Sequence, residues 1–71
     1  MRRPGAVELT TCAGGRVAIS VWDITSWAEE DGTVNVYVRH EDQPWEVQDS
    51  FEYVSAAVAN AMIGAFGTVQ N

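Results

Sequence analysis

The sequence predicts an α+β domain, a four-stranded antiparallel β-meander with one C-terminal helix packed on one face (ββββα). Apolar residues alternate with polar ones along four short stretches, the signature of half-buried strands. Gly, Asp and Pro punctuate the gaps between those stretches. Beyond Asp49 the apolar spacing changes to that of a helix. Seventy-one residues suffice for one domain. The pattern predicts a flexible start over 1–5, a single domain over 6–67 and a tail over 68–71.

The first stretch sets Val7, Leu9 and Thr11 on one face and Glu8, Thr10 and Cys12 on the other. Ala13, Gly14 and Gly15 supply the permissive backbone of a hairpin. Val17, Ile19 and Val21 then face inward, with Ala18, Ser20 and Trp22 outward. A two-residue loop would oppose odd and even positions and mix the faces. A three-residue loop is therefore expected, pairing Thr11 with Val17, Leu9 with Ile19 and Val7 with Val21. Residues 23–32 read as the longest connection, closed by Asp31-Gly32, with Ile24 and Trp27 tucked over the end of the core. A third strand over 33–39 turns Val34, Val36 and Val38 inward and Asn35 and Tyr37 outward. The fourth, over 45–48, points Trp45 and Val47 inward, pairing Val38 with Trp45 and Val36 with Val47. Pro44 at its start suits an edge position.

Asp49 and Glu52 stand three apart, a capping-box arrangement ahead of an apolar periodic run. Phe51, Val54, Val58, Met62 and Ala65 form the stripe expected to lie on the sheet, and Gly67 the C-cap.

Composition removes several classes of function. Cys12 and His40 are the only residues of their types, so neither an internal disulfide nor a Cys/His zinc site can form. No glycine-rich phosphate loop is present, and no catalytic residue, metal ligand or cofactor is expected. Ten acidic residues against four arginines and no lysine give a net charge of −6. Such a chain repels phosphate backbones and anionic lipid, so no direct nucleic-acid or membrane binding is expected. A protein with a basic surface is the complementary partner. The basic start is not followed by a leader-like apolar run, and no stretch approaches the ~20 apolar residues of a spanning helix. With one unpaired cysteine, a cytoplasmic protein is expected.

Each reactive residue also has a plain structural explanation. His40 sits between Arg39 and Glu41 in a polar turn, without the orienting partner a general base needs. Cys12 has Arg16 across the expected hairpin but no base. The acids between 23 and 31 do not follow the spacing of an EF-hand, and one small sheet builds no walled cleft for a carboxylate pair.

Two surfaces are left. The meander is expected to gather Asp23, Glu29, Glu30, Asp31, Asp49 and Glu52 into a partner-binding acidic lobe at one end, with Arg2 and Arg3 near enough to neutralise part of it. No charged residue occurs from Tyr53 onward, and Tyr53, Ala56, Asn60, Ile63 and Gly64 lie opposite the buried stripe as a candidate helix interface. That face suits a homodimer through the C-terminal helix, since a core this small gains from further burial. Trp22 and Tyr37 are candidate contacts on the outer sheet face. The element order resembles, in topology alone, that of single-stranded-DNA-binding coactivator domains. Those domains hold the strand through basic residues, which are not matched here.

The expected function is thus a small acidic, non-enzymatic protein-binding module. The class that size and charge suit best is a phage-type inhibitor, of the anti-CRISPR or anti-restriction kind, with its acidic lobe acting as a DNA mimic on a basic nucleic-acid-binding surface. The alternative is a structural or oligomerisation domain acting through the uncharged helix face.

Overall fold

The computed structural model describes residues 5–65, with Gly64 and Ala65 described as helix backbone alone. The expected tail over 68–71, Gly67, and Arg2 and Arg3 lie outside the described residues. In chain order come β1 (Ala6–Thr10), β2 (Arg16–Ser20), a 3-10 turn (Val21–Asp23), β3 (Ile24–Glu30), β4 (Thr33–Val38), β5 (Trp45–Val47) and α1 (Phe51–Ala65). The α+β class holds. The single four-stranded meander does not: β1 and β2 form one antiparallel sheet, and β3, β4 and β5 a second, in that order.

The additional strand is β3, which occupies most of the expected 23–32 connection. A bulge between Ile24 and Ser26 shifts its pairing with β4, so that Ile24 opposes Val38 and Trp27 opposes Val36. Two apolar residues three apart thereby share one face, and period two is lost in the sequence. Ile24 and Trp27 pack against the core from this strand.

Both hairpins keep the expected faces at a different register. Leu9 pairs with Val17 and Val7 with Ile19, and on the other sheet Val36 pairs with Trp45 and Val34 with Val47. Each is displaced by two residues from expectation. The first turn keeps three residues but closes one position earlier, with Thr11 facing Gly15. The second pairing ends at Val36 and Trp45, two residues further from the turn on β4. A slip of two returns every side chain to its own face, so alternation alone does not forbid it. Arg16 consequently faces Thr10 rather than Cys12.

The two sheets meet at the end of β1. The Cys12 N–H donates to the Glu46 carbonyl and the Gln48 N–H to the Thr10 carbonyl, both at 2.8 Å, around a bridge between Thr11 and Val47. β5 is thus flanked by β4 on one side and by this seam on the other, so Pro44 introduces a strand that is not a free edge. At the same seam the Thr10 N–H donates to Asp49 Oδ1 at 2.8 Å. Asp49 is therefore not the helix cap. That role belongs to Ser50, whose Oγ accepts the Tyr53 N–H and whose carbonyl accepts the Val54 N–H, each at 3.0 Å.

α1 packs against β1 and β3 and buries Val54, Val58 and Ala61, with Ala57 partly covered. Phe51 and Met62, expected in the stripe, remain 36% and 40% exposed. At 100° per residue the buried stripe is turned by roughly 50° toward the alanines. Small side chains let the helix backbone approach both sheets, which ranking by hydrophobic size does not capture. Val7, Leu9, Ile19, Val21, Val34, Val36, Val38 and Val47 complete the core, and no polar or charged side chain is buried among the described residues.

Replacing Asp49 by Ala leaves the Thr10 N–H without its acceptor in a partly buried site and should lower stability by ~1–2 kcal/mol. Asp49→Asn, which keeps an acceptor oxygen, should lose less. Urea denaturation of both variants checks the order.

Candidate functional site

The acidic end is built by the β3–β4 hairpin. Glu29 and Glu30 finish β3 and Asp31 opens the two-residue turn, where it holds φ 55. That left-handed backbone is tolerated by Asp and Asn better than by most residues. Glu30 opposes Thr33 and Glu29 opposes Val34, while Val34 also pairs with Val47. The end of β5, Asp49 and the first turn of α1 with Glu52 thus follow from the same end of the sheet.

Asp23 stands apart from this group. It precedes the seven-residue β3, and at ~3.3 Å per residue that strand separates it from Asp31 by about 25 Å. There its carboxylate lies 3.7 Å from Arg39 Nε, and its carbonyl accepts the Arg39 N–H at 2.8 Å. Asp49 is half-buried and bonded to Thr10, so it belongs to the seam more than to the surface. Glu46 was not among the expected acids, yet it lies on the acidic end's outer face. It pairs with Asn35, whose Nδ2 donates to Glu30 Oε1 at 3.2 Å. Its outward position opposite Val47 in the alternation was the signal available.

Charge on this end is not cancelled by the described cations. Arg16 Nη2 lies 3.5 Å from Glu8 Oε1, and Arg39 is held by Asp23 and by the Trp22 carbonyl. The other eight acids have no basic partner among the described residues.

The expected helix interface divides in two. Tyr53, Ala56 and Asn60 line a groove of about 290 Å³ between α1 and β1, and the Tyr53 hydroxyl donates to the Glu8 carbonyl at 3.4 Å. Ile63 is exposed on the last turns, and the surroundings of Gly64 are outside the described residues. On the opposite flank the Trp27 Nε1–H donates to Ser55 Oγ at 2.9 Å, beside exposed Phe51. Trp22 is exposed in the 3-10 turn rather than on β2, and Tyr37 is half-buried on the outer face of β4 opposite Ser26.

Cys12 is an exposed free thiol, and His40 is exposed in the turn after β4 with φ 72. The two lie in different turns, and no side-chain hydrogen bond joins either to a base or an orienting group among the described residues. Among those residues no three His, Cys, Asp or Glu side chains come together in a metal-holding group, and no helix is long and apolar enough to cross a membrane. Comparison with models of known protein families, with curated proteins and with solved structures finds no match to this chain.

Among the described residues, the acids of the β3–β4 turn have no structural partner except the Asn35–Glu30 bond. The triple variant Glu29→Gln, Glu30→Gln, Asp31→Asn keeps that acceptor and suits the left-handed turn. Its melting temperature at low salt should equal or exceed that of the parent, because like charges are removed. A fall of several degrees would assign these acids to stability instead.

Proposed function

We propose that this chain is a small non-enzymatic protein-binding module whose acidic end docks on a basic, nucleic-acid-binding surface of a larger protein. The best-suited class is a phage-type inhibitor of the anti-CRISPR or anti-restriction kind, acting in the cytoplasm as a mimic of DNA charge. One observation carries the reading. Glu29, Glu30, Asp31, Glu46 and Glu52 sit at one end of the sheet and its helix with no described cation among them. The backbone that carries these carboxylates is held on strand ends and a two-residue turn, so docking orders side chains alone, which favours a partner that reads charge in a defined array. The exposed free thiol of Cys12 fits a reducing compartment.

A second reading, a homodimerisation domain, is favoured by a different observation. Phe51, Tyr53, Met62 and Ile63 leave much of the exposed surface of α1 apolar or uncharged. On this reading the helix face meets a second copy, and Ala56→Glu, placed on that exposed surface, separates the copies.

The two readings part in one experiment. The tagged chain is used to capture nucleic-acid-binding proteins from its native host at low and high salt, with duplex DNA as competitor. The first reading expects capture at low salt only, displacement by DNA, and at least a tenfold loss, about 1.4 kcal/mol, in the Gln/Gln/Asn variant. Capture indifferent to that variant and to DNA contradicts it. Loss of self-association in Ala56→Glu, with the acidic variant unaffected, favours the second.

A further inference from the structure

The register of the first sheet shows which backbone groups of β2 are in use. Thr11 donates to Gly15 at 2.7 Å and Val21 to Gly5 at 2.6 Å, so odd positions exchange the ladder bonds between β1 and β2. Thr10, at an even position, directs both its N–H and its carbonyl away from β2. By the same alternation the N–H and C=O groups of Arg16, Ala18 and Ser20 point away from β1. β2 has no second strand neighbour; the Ser20 carbonyl caps the 3-10 turn, while the N–H of Ser20 and both groups of Arg16 and Ala18 take no backbone hydrogen bond among the described residues.

Open edges are normally blunted by charge, proline or a bulge. β3 carries a bulge and two glutamates along its length. β2 has only Arg16, at its first position, and no bulge. A groove flanks it on each face. The outer one, about 260 Å³, is bordered by Glu8, Arg16, Val17 and Ala18. The inner one, about 310 Å³, opens between the two sheets, with Val17, Ile19, Val38 and Trp45 as apolar lining and Glu41, His40 and the Asp23–Arg39 pair among its polar residues.

We infer that the open edge of β2 accepts an extended segment of a basic partner protein as an added antiparallel strand. The backbone of that segment pairs with Arg16, Ala18 and Ser20, and its side chains alternate between the two grooves. Apolar side chains enter between the sheets onto Val38 and Trp45, and lysine or arginine side chains face outward beside Glu8. Charge selects this occupant over a second copy: two chains of net charge −6 repel, whereas a basic segment is attracted. The surface lies on a different sheet from Glu29, Glu30 and Asp31, and the inference does not rest on the reading above.

The test uses an acetylated Lys-Val-Lys-Val-Lys-Val peptide, followed by fluorescence anisotropy and by the amide spectrum of the labelled protein. Binding should shift the amides of Arg16, Ala18 and Ser20. Ala18→Pro removes an outward donor without touching the ladder to β1, and should weaken binding at least about tenfold. Trp45→Ser should weaken it through the inner groove alone. The same peptide methylated on its lysine backbone nitrogens, those that would face Arg16, Ala18 and Ser20, should not bind, whereas the Gln/Gln/Asn variant of the acidic end, which leaves the β2 edge intact, should lose less affinity than Ala18→Pro. No binding, shifts confined to Glu29, Glu30 and Asp31, or equal binding of the methylated peptide overturns the inference. Self-association of the parent that Ala18→Pro abolishes overturns it in favour of a second copy.

Discussion

Thr10 is where the molecule is tied together. Its side of β1 receives the Gln48 N–H on the carbonyl and gives its own N–H to the Asp49 carboxylate, so one residue joins the first sheet, the last strand of the second and the entry to the helix. Without this seam, the β1–β2 hairpin, which alone is of marginal stability in water, is left to side-chain packing against α1 and the shared core. With it, the valines of both sheets face a common interior that a single helix can close. A core made largely of valine, with Leu9 and Ile19 its largest buried side chains and no buried aromatic among the described residues, makes the correct meeting of the sheets the decisive constraint.

The same arrangement explains what the surface offers. The β3–β4 hairpin carries its acids past the end of the sheet, where no described cation reaches them. β1 is covered on its outer side only as far as the seam and α1 allow, and β2 is covered on one side only. The helix, uncharged beyond Glu52, leaves aromatic and aliphatic side chains at its margins. Three surfaces of different chemistry thus arise from one economical fold, and the functional readings correspond to them: charge recognition, strand addition and helix contact.

Much of this was legible in the sequence as parity and little of it as distance. Alternation assigned Val7, Leu9, Ile19, Val34, Val36, Val38 and Val47 to the interior correctly. It could not fix the registers, since pairing Leu9 with Val17 or with Ile19 satisfies the same faces. β3 escaped because its bulge gives Ile24 and Trp27 a spacing of three. The helix was legible in place, but its buried side was not, because Ala57 and Ala61 bury by closeness and not by size. Asp49 read as a cap from its spacing to Glu52, whereas Ser50 takes the cap and Asp49 reaches across the chain to Thr10. Of the acidic lobe, Glu29, Glu30, Asp31 and Glu52 follow from element order. Asp23 was lost with the unseen length of β3, and Glu46 was missed because its outward place in the alternation says nothing of its neighbour Asn35, which brings it beside Glu30.

The central claim is that the two sheets are one cooperative unit held at the β1–β5 seam. Native-state amide hydrogen exchange at Thr10, Cys12 and Gln48 tests it most directly, compared with Val36 in the middle of β4. If the seam holds the fold, these three amides exchange as slowly as Val36, through global opening alone. Exchange at the rate of the exposed turn around Ala13 and Gly14, with β4 still protected, would show two sheets that open independently.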